Sequence, residues 1–459
     1  MGLIGSALPF LLGIVLAWFS ISRAVRLLVG LRSLWIGWTW RHAATDSMMA
    51  DASLHDAHRP ISILVPAAGA RAEAVIETLR SLSDLARREV EVIVAIDLQD
   101  RALLSSLVVG WDLEEAPTRA SSRIPASIQW SLLRSRRGGR LLVARTDPQS
   151  ALPVALGLAR LPIVCAVSPG TTVDEKALLR AALLFSGEEH VVAIAGGALP
   201  FPSAAMGLRA RLQHVAFLRD FFAGGAGRCA FRARLGEGAP FHLLHRESLL
   251  RAGGYDGAAV DPHLDALMRM SRHLRSEDLP FRTLVALEPV GRVPLPEDFG
   301  AHRRKTRAGL ADALWRQRGA LLRPRLGVRE FIHVLSRAGG EPTKAEPCAC
   351  SARESIGSAS RGAIDSQALR GLGLVSLPWL WCFERFAPIV EAAGLALVVA
   401  AVGTGALAWD LAALGVGAAA AHGLLRTTIA LGARRLLERT GASEDRPTAM
   451  EPTGAAESS

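Results

Sequence analysis

Aromatic side chains are scarce in this chain: they make up 5% of its 459 residues, and tyrosine occurs once, at Tyr255. Stacking platforms for single-stranded nucleic acid are therefore poorly supplied, and no nucleic-acid partner is expected. Cysteine is also sparse, with five residues in the whole length, which does not make a disulfide framework. Cys165 and Cys382 lie in apolar runs and read as small buried hydrophobes, while Cys348-Ala-Cys350 lacks the second pair that a zinc site needs. A reducing, cytoplasm-facing compartment fits this usage. Acidic residues are outnumbered, 43 against 53 basic, for a net charge of +10. That sign suits an anionic lipid surface or a phosphorylated substrate. No phosphate loop of the P-loop kind is present: the glycine-rich run "FFAGGAGRCAF" (221–231) has no Gly-Lys-Ser/Thr ending. The basic run "LLRSRRGGR" (132–140) lacks flanking aromatics and reads as a solvated loop.

What the chain has in abundance is apolar residues, 50% of the total. Leu3 to Ile21 form an almost uncharged stretch, close to the roughly 20 residues that cross a bilayer. Arg23, Arg26, Arg32 and Arg41 follow it and no basic residue precedes it, the reverse of a signal peptide. The positive-inside rule then places the start outside and everything after residue 22 in the cytoplasm. Ser22 to Trp40 reads as an interfacial amphipathic helix. A second span is expected over Ile389–Trp409 and a returning one over Leu411–Leu431, followed by Arg434, Arg435 and Arg439. Arg426 lies near the cytoplasmic end of the return span, where its head group can snorkel.

Between these ends, strand and helix alternate. Ile61–Val65 is an expected strand closed by Pro66, and Arg71–Ala86 an amphipathic helix with Val75, Leu79 and Leu82 on one side. Val90–Ile96, Leu141–Ala144 and Ile163–Val167 are further strands, with a helix over Leu152–Leu161. This spacing implies an α/β domain with a mostly parallel sheet of nucleotide-binding type. The expected organisation is a transmembrane helix (1–22), an interfacial helix and linker (23–58), the α/β domain (59–335), a flexible insertion (336–373), a transmembrane hairpin (374–435) and a disordered tail (436–459).

Four segments carry a resemblance. "ISILVPAAGARAEAVIETLRSL", "EVEVIVAIDLQD", "FHLLHRESLLRAGGYD" and "LPWLWCFERFAPIVEAAG" occur in the order seen in membrane-bound family 2 glycosyltransferases, and the chain resembles that family over 59–335 and 374–430. The resemblance implies a GT-A fold, a nucleotide-sugar donor and a glycan or lipid acceptor. It also implies a divalent metal, Mg²⁺ or Mn²⁺, held by an Asp-x-Asp pair.

The family's polar stations are only partly kept. Where it has paired aspartates after the second strand, this chain has Ile96-Asp97. Asp97 can accept hydrogen bonds from a nucleobase or ribose, or can cap the following turn. At the Asp-x-Asp station stand Ser168-Pro169-Gly170, with Thr171 retained. Hydroxyls and a glycine do not replace two carboxylates, so no metal ligand is assigned. Asp174 and Glu175 read as negative charge in the first turn of the next helix. At the catalytic-base station stand Pro262-His263, followed by Leu264-Asp265. His263 suits a general base by its ordinary pKa, or is a solvated polar residue near a helix start; Asp261 or Asp265 serves only after a register shift. Of the family's Gln-x-x-Arg-Trp only Trp315 remains, with Arg303, Arg304, Lys305, Arg307, Arg316 and Arg318 around it. Those cations suit a phosphate or a lipid head group, or form a basic helix at a membrane surface.

The expectation is therefore a hexosyltransferase-like protein of the bacterial plasma membrane, multi-pass, with its main domain in the cytoplasm. Its site residues would be His263 and Asp265 for catalysis and Asp97, Thr171, Trp315 and Arg318 for the nucleotide sugar. The alternative is an inactive relative serving as a structural or regulatory subunit among envelope-glycan assembly proteins.

Overall fold

The computed structural model describes residues 13–14, 17–32, 35, 60–83, 90–117, 123–136, 140–187, 191–201, 207–218, 241–277, 279, 281–295, 298–318, 363–366, 382, 387–405 and 407–441. One mixed sheet organises the molecule. Its strands are β1 (Ile61–Pro66), β2 (Val90–Asp97), β3 (Leu113–Ala116), β4 (Trp130–Ser135), β5 (Leu141–Thr146), β6 (Ile163–Ala166), β7 (Thr172–Val173), β8 (Val191–Pro200), β9 (Phe241–His245), β10 (Arg282–Val293) and β11 (Ala363–Ser366). The order across the sheet is β11-β10-β8-β9-β6-β1-β2-β5-β4-β3, and β7 pairs with β10 off this path.

The centre is parallel: β1 lies between β2 and β6, and β5 extends it beyond β2. Parallel strands are covered on both faces, and the sequence obeys that requirement. Ile61, Ile63 and Val65 of β1, and Val90, Val92, Val94 and Ile96 of β2, point into one apolar cluster, while Leu64, Ile93 and Ala95 point into the other. Strand β9 runs antiparallel between β6 and β8, and β8 pairs parallel with β10.

Helices fill both faces. On the first, α1 (residues 17–32) being outside the sheet, stand α2 (Ala72–Leu82) and α3 (Arg101–Trp111), whose Val75, Leu79, Leu82, Leu103 and Leu107 are buried. On the opposite face lies α4 (Ala151–Leu158), nearly all of it buried. The first face is completed by α5 (Glu175–Gly187) through Leu178, Ala181 and Ala182. After α6 (Leu208–Leu218), the second face receives α7 (Arg246–Arg251), α8 (Pro262–Ser276) and α9 (Phe299–Arg316), through Leu249, Leu264, Leu267, Met270, Leu310 and Leu314. Two further helices follow, α10 (Ala387–Gly403) and α11 (Trp409–Gly441).

Several expectations change. Helix α1 runs unbroken through residues 21 and 22, so the described residues show no separate interfacial helix beginning at Ser22. The expected first span at Leu3–Ile21 lies largely outside the described residues, as does the 43–58 linker. Of three expected spans, one stretch among the described residues is long and apolar enough to cross a membrane, Ala413–Gly432, with mean hydropathy 1.3 and 11% of it buried. The apolar stretch Ile389–Gly403 is shorter, because the helix stops at Gly403 and the chain turns through Gly405 in a left-handed conformation (φ 71°). Helix α11 then continues past Leu431 into the expected tail, to Gly441.

The run at 132–140 is not simply a solvated loop: residues up to Ser135 belong to β4, which pairs antiparallel with β3 and β5. Alternation explains it, since Leu133 and Ser135 are buried and Arg134 is exposed. The expected insertion at 336–373 contributes β11, paired with β10 through Ala286↔Ala363; the rest lies outside the described residues.

Helices α1, α10 and α11 carry many exposed apolar side chains, among them Leu28, Leu31, Leu395, Val399, Leu414 and Leu424. Arg26 of α1 pairs with Glu391 of α10 at 2.9 Å, and α6 packs against α11.

Candidate nucleotide-sugar cleft

In an open α/β sheet, ligands gather outside the carboxyl ends of the strands, at the point where strand order reverses. Here that point lies at β1, which pairs in parallel with β2 on one side and with β6 on the other, Leu64 standing opposite Ala166. Asp97, the last residue of β2, sits half-buried on one flank. Its Oδ1 accepts a hydrogen bond from Gln99 N at 2.9 Å, so it does shape the following turn. Asp100 then caps α3 by accepting from Leu103 N. One carboxylate can do both jobs, because Oδ2 has no partner in the turn.

Beside Asp97 stands a residue that sequence reasoning passed over. Arg145 of β5 lies in register with Ile96 and donates from Nη2 to Leu98 O at 2.8 Å, while its Nε is buried without a partner. A buried unsatisfied guanidinium N–H is costly. The signal in the sequence was a single arginine ending an apolar strand, "LLVART".

The opposite flank begins where β6 ends. Val167 N donates to Leu64 O, Gly170 N to Ala74 O and Thr171 N to Ser168 O, forming a tight turn. Gly170 has φ 82°, and a Cβ placed there would meet Pro294 Cγ at 3.2 Å and Ala74 Cβ at 3.6 Å. The second acidic position of a metal-binding pair therefore has neither the backbone conformation nor the space for a carboxylate. Thr171 is buried at 2% exposure. Asp174 accepts from Ala177 N at the start of α5, as expected of a helix cap. Among the described residues no group of three or more His, Cys, Asp or Glu could hold a metal ion. The residues present do not fit the divalent metal that the resemblance implies.

His263, in the first turn of α8, is not a solvated residue. Its ring stacks on His242 (centroids 5.6 Å apart, planes 8° apart) and meets Tyr255 edge-on (5.3 Å, 84°). His242 is the partner of Ala166 in the sheet, so this ring cluster stands at the carboxyl end of β6. His263 Nδ1 and the Tyr255 hydroxyl are buried without partners. Burial pushes the His263 pKa below its ordinary value, against the raising effect of Asp261. Burial also pushes the Tyr255 phenol up, with the neighbouring Cys165 adding to it.

Asp265 has a different fate. At 2% exposure it accepts from Arg269 Nε at 2.7 Å, which commits it to holding α8 and the preceding turn together. Trp315 is 61% exposed at the end of α9, with the Arg318 guanidinium 4.4 Å above its ring and donating to its carbonyl. The structure thus places Asp97 and Arg145 at the carboxyl ends of β2 and β5, and His242, Tyr255 and His263 together at the carboxyl end of β6.

Among solved structures, the chain is similar to the mannosyltransferase PcManGT from Pyrobaculum calidifontis in complex with GDP-Man and Mn²⁺. The TM-score is 0.51 at 14% identity, over 95% of this chain and 100% of that one. The chain has a GT-A-like fold. Weaker matches are S. aureus TarS 1–349 (TM-score 0.35, 15% identity, 61% of this chain and 70% of that chain) and mannosyl-3-phosphoglycerate synthase from Rubrobacter xylanophilus (0.32, 12%, 64% and 83%). No family model and no curated protein matches the sequence. At these identities the GT-A-like likeness concerns the fold alone, and the neighbour's Mn²⁺ belongs to that protein.

Proposed function

We propose that this protein is a membrane-anchored, nucleotide-sugar-dependent glycosyltransferase that works without a metal at the usual acidic station. The observation that carries the reading is the half-buried His263 ring, stacked on His242 at the carboxyl end of β6 with its Nδ1 unpartnered, on a sheet of GT-A-like fold. The nucleotide lies on the β2–β5 flank, where the Asp97 carboxylate accepts from the base or ribose and Arg145 donates. His263 takes the proton from an acceptor hydroxyl as its oxygen bonds to the anomeric carbon. The bond from that carbon to the diphosphate oxygen breaks, and its electron pair leaves with the nucleotide diphosphate.

The acceptor is a glycan or lipid of a bacterial envelope. Exposed apolar faces of α1, α10 and α11 support anchorage in a plasma membrane, with the sheet domain on the cytoplasmic side. Arg23 over Phe19 (5.2 Å) and Arg32 over Trp35 (4.1 Å) are pairings suited to a membrane–water boundary.

A second reading is a non-catalytic subunit of a glycan-assembly complex that uses the same cleft for binding. The closed turn at Ser168–Thr171 favours it. Nucleotide release from UDP-glucose and GDP-mannose by detergent-solubilised protein separates the two. The transferase reading expects release that persists in EDTA and is lost in His263→Ala. Nucleotide binding with no release from any donor supports the subunit reading instead.

A further inference from the structure

Residues 252–261 carry the chain from α7 to α8, past the carboxyl end of the sheet. Gly253 and Gly254 turn it in the left-handed region (φ 92° and 68°), and Gly257 lies directly against Gln149 O at the start of α4. Two guanidinium groups grip this connection. Arg269 holds its beginning, donating from Nη1 to Ala252 O (2.8 Å) and from Nη2 to Gly254 O (2.7 Å). Arg316, the last residue of α9, holds its middle. It donates from Nη1 to Asp256 Oδ2 (2.7 Å), from Nη2 to Ala258 O (3.1 Å) and from Nε to Asp312 Oδ1 (2.9 Å). The other oxygen of Asp312 accepts from Val260 N at 3.2 Å. Close by, Gly309 leaves space for Asp261, since a Cβ at Gly309 would stand 2.8 Å from the Asp261 Cβ. Asp261 in turn accepts from Leu264 N and sets the start of α8, where His263 sits.

We infer that Arg316 is the positioning residue for His263. The grips differ in kind. Arg269 is mostly buried and its partner Asp265 is 2% exposed, so that grip is permanent. Arg316, Asp256 and Asp312 keep side-chain exposures of 33%, 42% and 25%, so this grip lies at the surface and opens more easily. Its three acceptors lie in different directions, which a planar guanidinium satisfies at once and an ammonium does not. When it is closed, the connection is pinned between α9 and the start of α4, and the His263 ring is held against His242 and Tyr255. When it is open, the connection from Asp256 to Val260 loses its anchors on α9 and the ring loses its fixed height above β6.

The inference deepens the transferase reading but has a test of its own. In full-length solubilised protein, hydrogen exchange of residues 256–263 is measured for Arg316→Ala and Arg316→Lys, with diethyl pyrocarbonate modification of the His263 peptide followed by mass. Arg316→Ala is expected to speed both at least threefold, with β1, β2 and α7 unchanged, and Arg316→Lys to restore part of the difference. Unchanged exchange at 256–263, or unchanged His263 modification, overturns the inference whether or not the protein turns over a donor. Where nucleotide release is observed, kcat should fall at least fivefold with donor KM changed less than twofold. Equal loss in both, or in neither, contradicts a positioning role.

Discussion

The two flanks of the cleft use their polar residues in opposite ways. On the β2–β5 flank Asp97 is half-buried with one oxygen in a turn, and Arg145 keeps an unpartnered Nε. Polar capacity is left over there. On the other flank the carboxylates are committed: Asp265 to Arg269, Asp256 and Asp312 to Arg316, Asp174 and Asp261 to helix starts. At Ser168–Thr171 the backbone closes into a turn packed on Pro294 and Ala74. An acidic residue near a cleft is thus no measure of chemistry until its partners are known. A carboxylate at Gly170 would meet both a left-handed backbone and the Pro294 ring, so a side-chain change alone does not build a metal ligand there.

The sharpest way to break this contrast is Arg269→Ala. It leaves Asp265 buried without its partner, a change that costs about 3–5 kcal/mol in comparable buried pairs. Denaturant unfolding should show a large fall in midpoint; a change under 1 kcal/mol, by the same scale, would mean that Asp265 is not committed. Next is Gly170→Asp, intended to restore an acidic ligand. The left-handed backbone and the Pro294 contact predict a loss of about 1–3 kcal/mol and no gain in Mn²⁺ affinity by calorimetry.

A smaller effect is expected from pH. Burial holds the pKa of His263, and that of His245, below the ordinary histidine value. Below about pH 6.5 the unfolded chain takes up protons that the folded chain refuses, so stability falls as pH drops through that window and levels off below the folded values. His263→Gln should flatten part of that fall in thermal melts at pH 5–7, and an unflattened profile would argue against a neutral His263. Asp256 works in the other direction: its backbone bond from Ala258 and the Arg316 guanidinium hold its carboxyl below the usual range. Its contribution is complete above the ordinary carboxylate range and is lost only as pH falls through the lowered value.

The central sheet was legible because β1, β2, β5 and β6 are buried on both faces and read as continuous apolar runs. Strand β4 was not, since its outward arginine and nearby glycines imitate a loop, and β11 lies in a segment with no apolar periodicity. Asp97 and His263 were singled out from their stations in the chain. What half-buries the His263 ring could not be read locally: His242 lies on a strand distant in sequence, and the Arg316 grip joins residues 60 apart. Long-range partners decide a polar residue's role, and sequence spacing does not carry them.

Nucleotide binding by purified full-length protein, with Mn²⁺ or with EDTA, tests the central claim most directly. UDP or GDP, or their sugars, should bind with the same Kd in both conditions, and Asp97→Ala should weaken binding about tenfold, some 1.4 kcal/mol. Binding that requires Mn²⁺, or no nucleotide binding at all, would contradict a metal-independent nucleotide-sugar cleft.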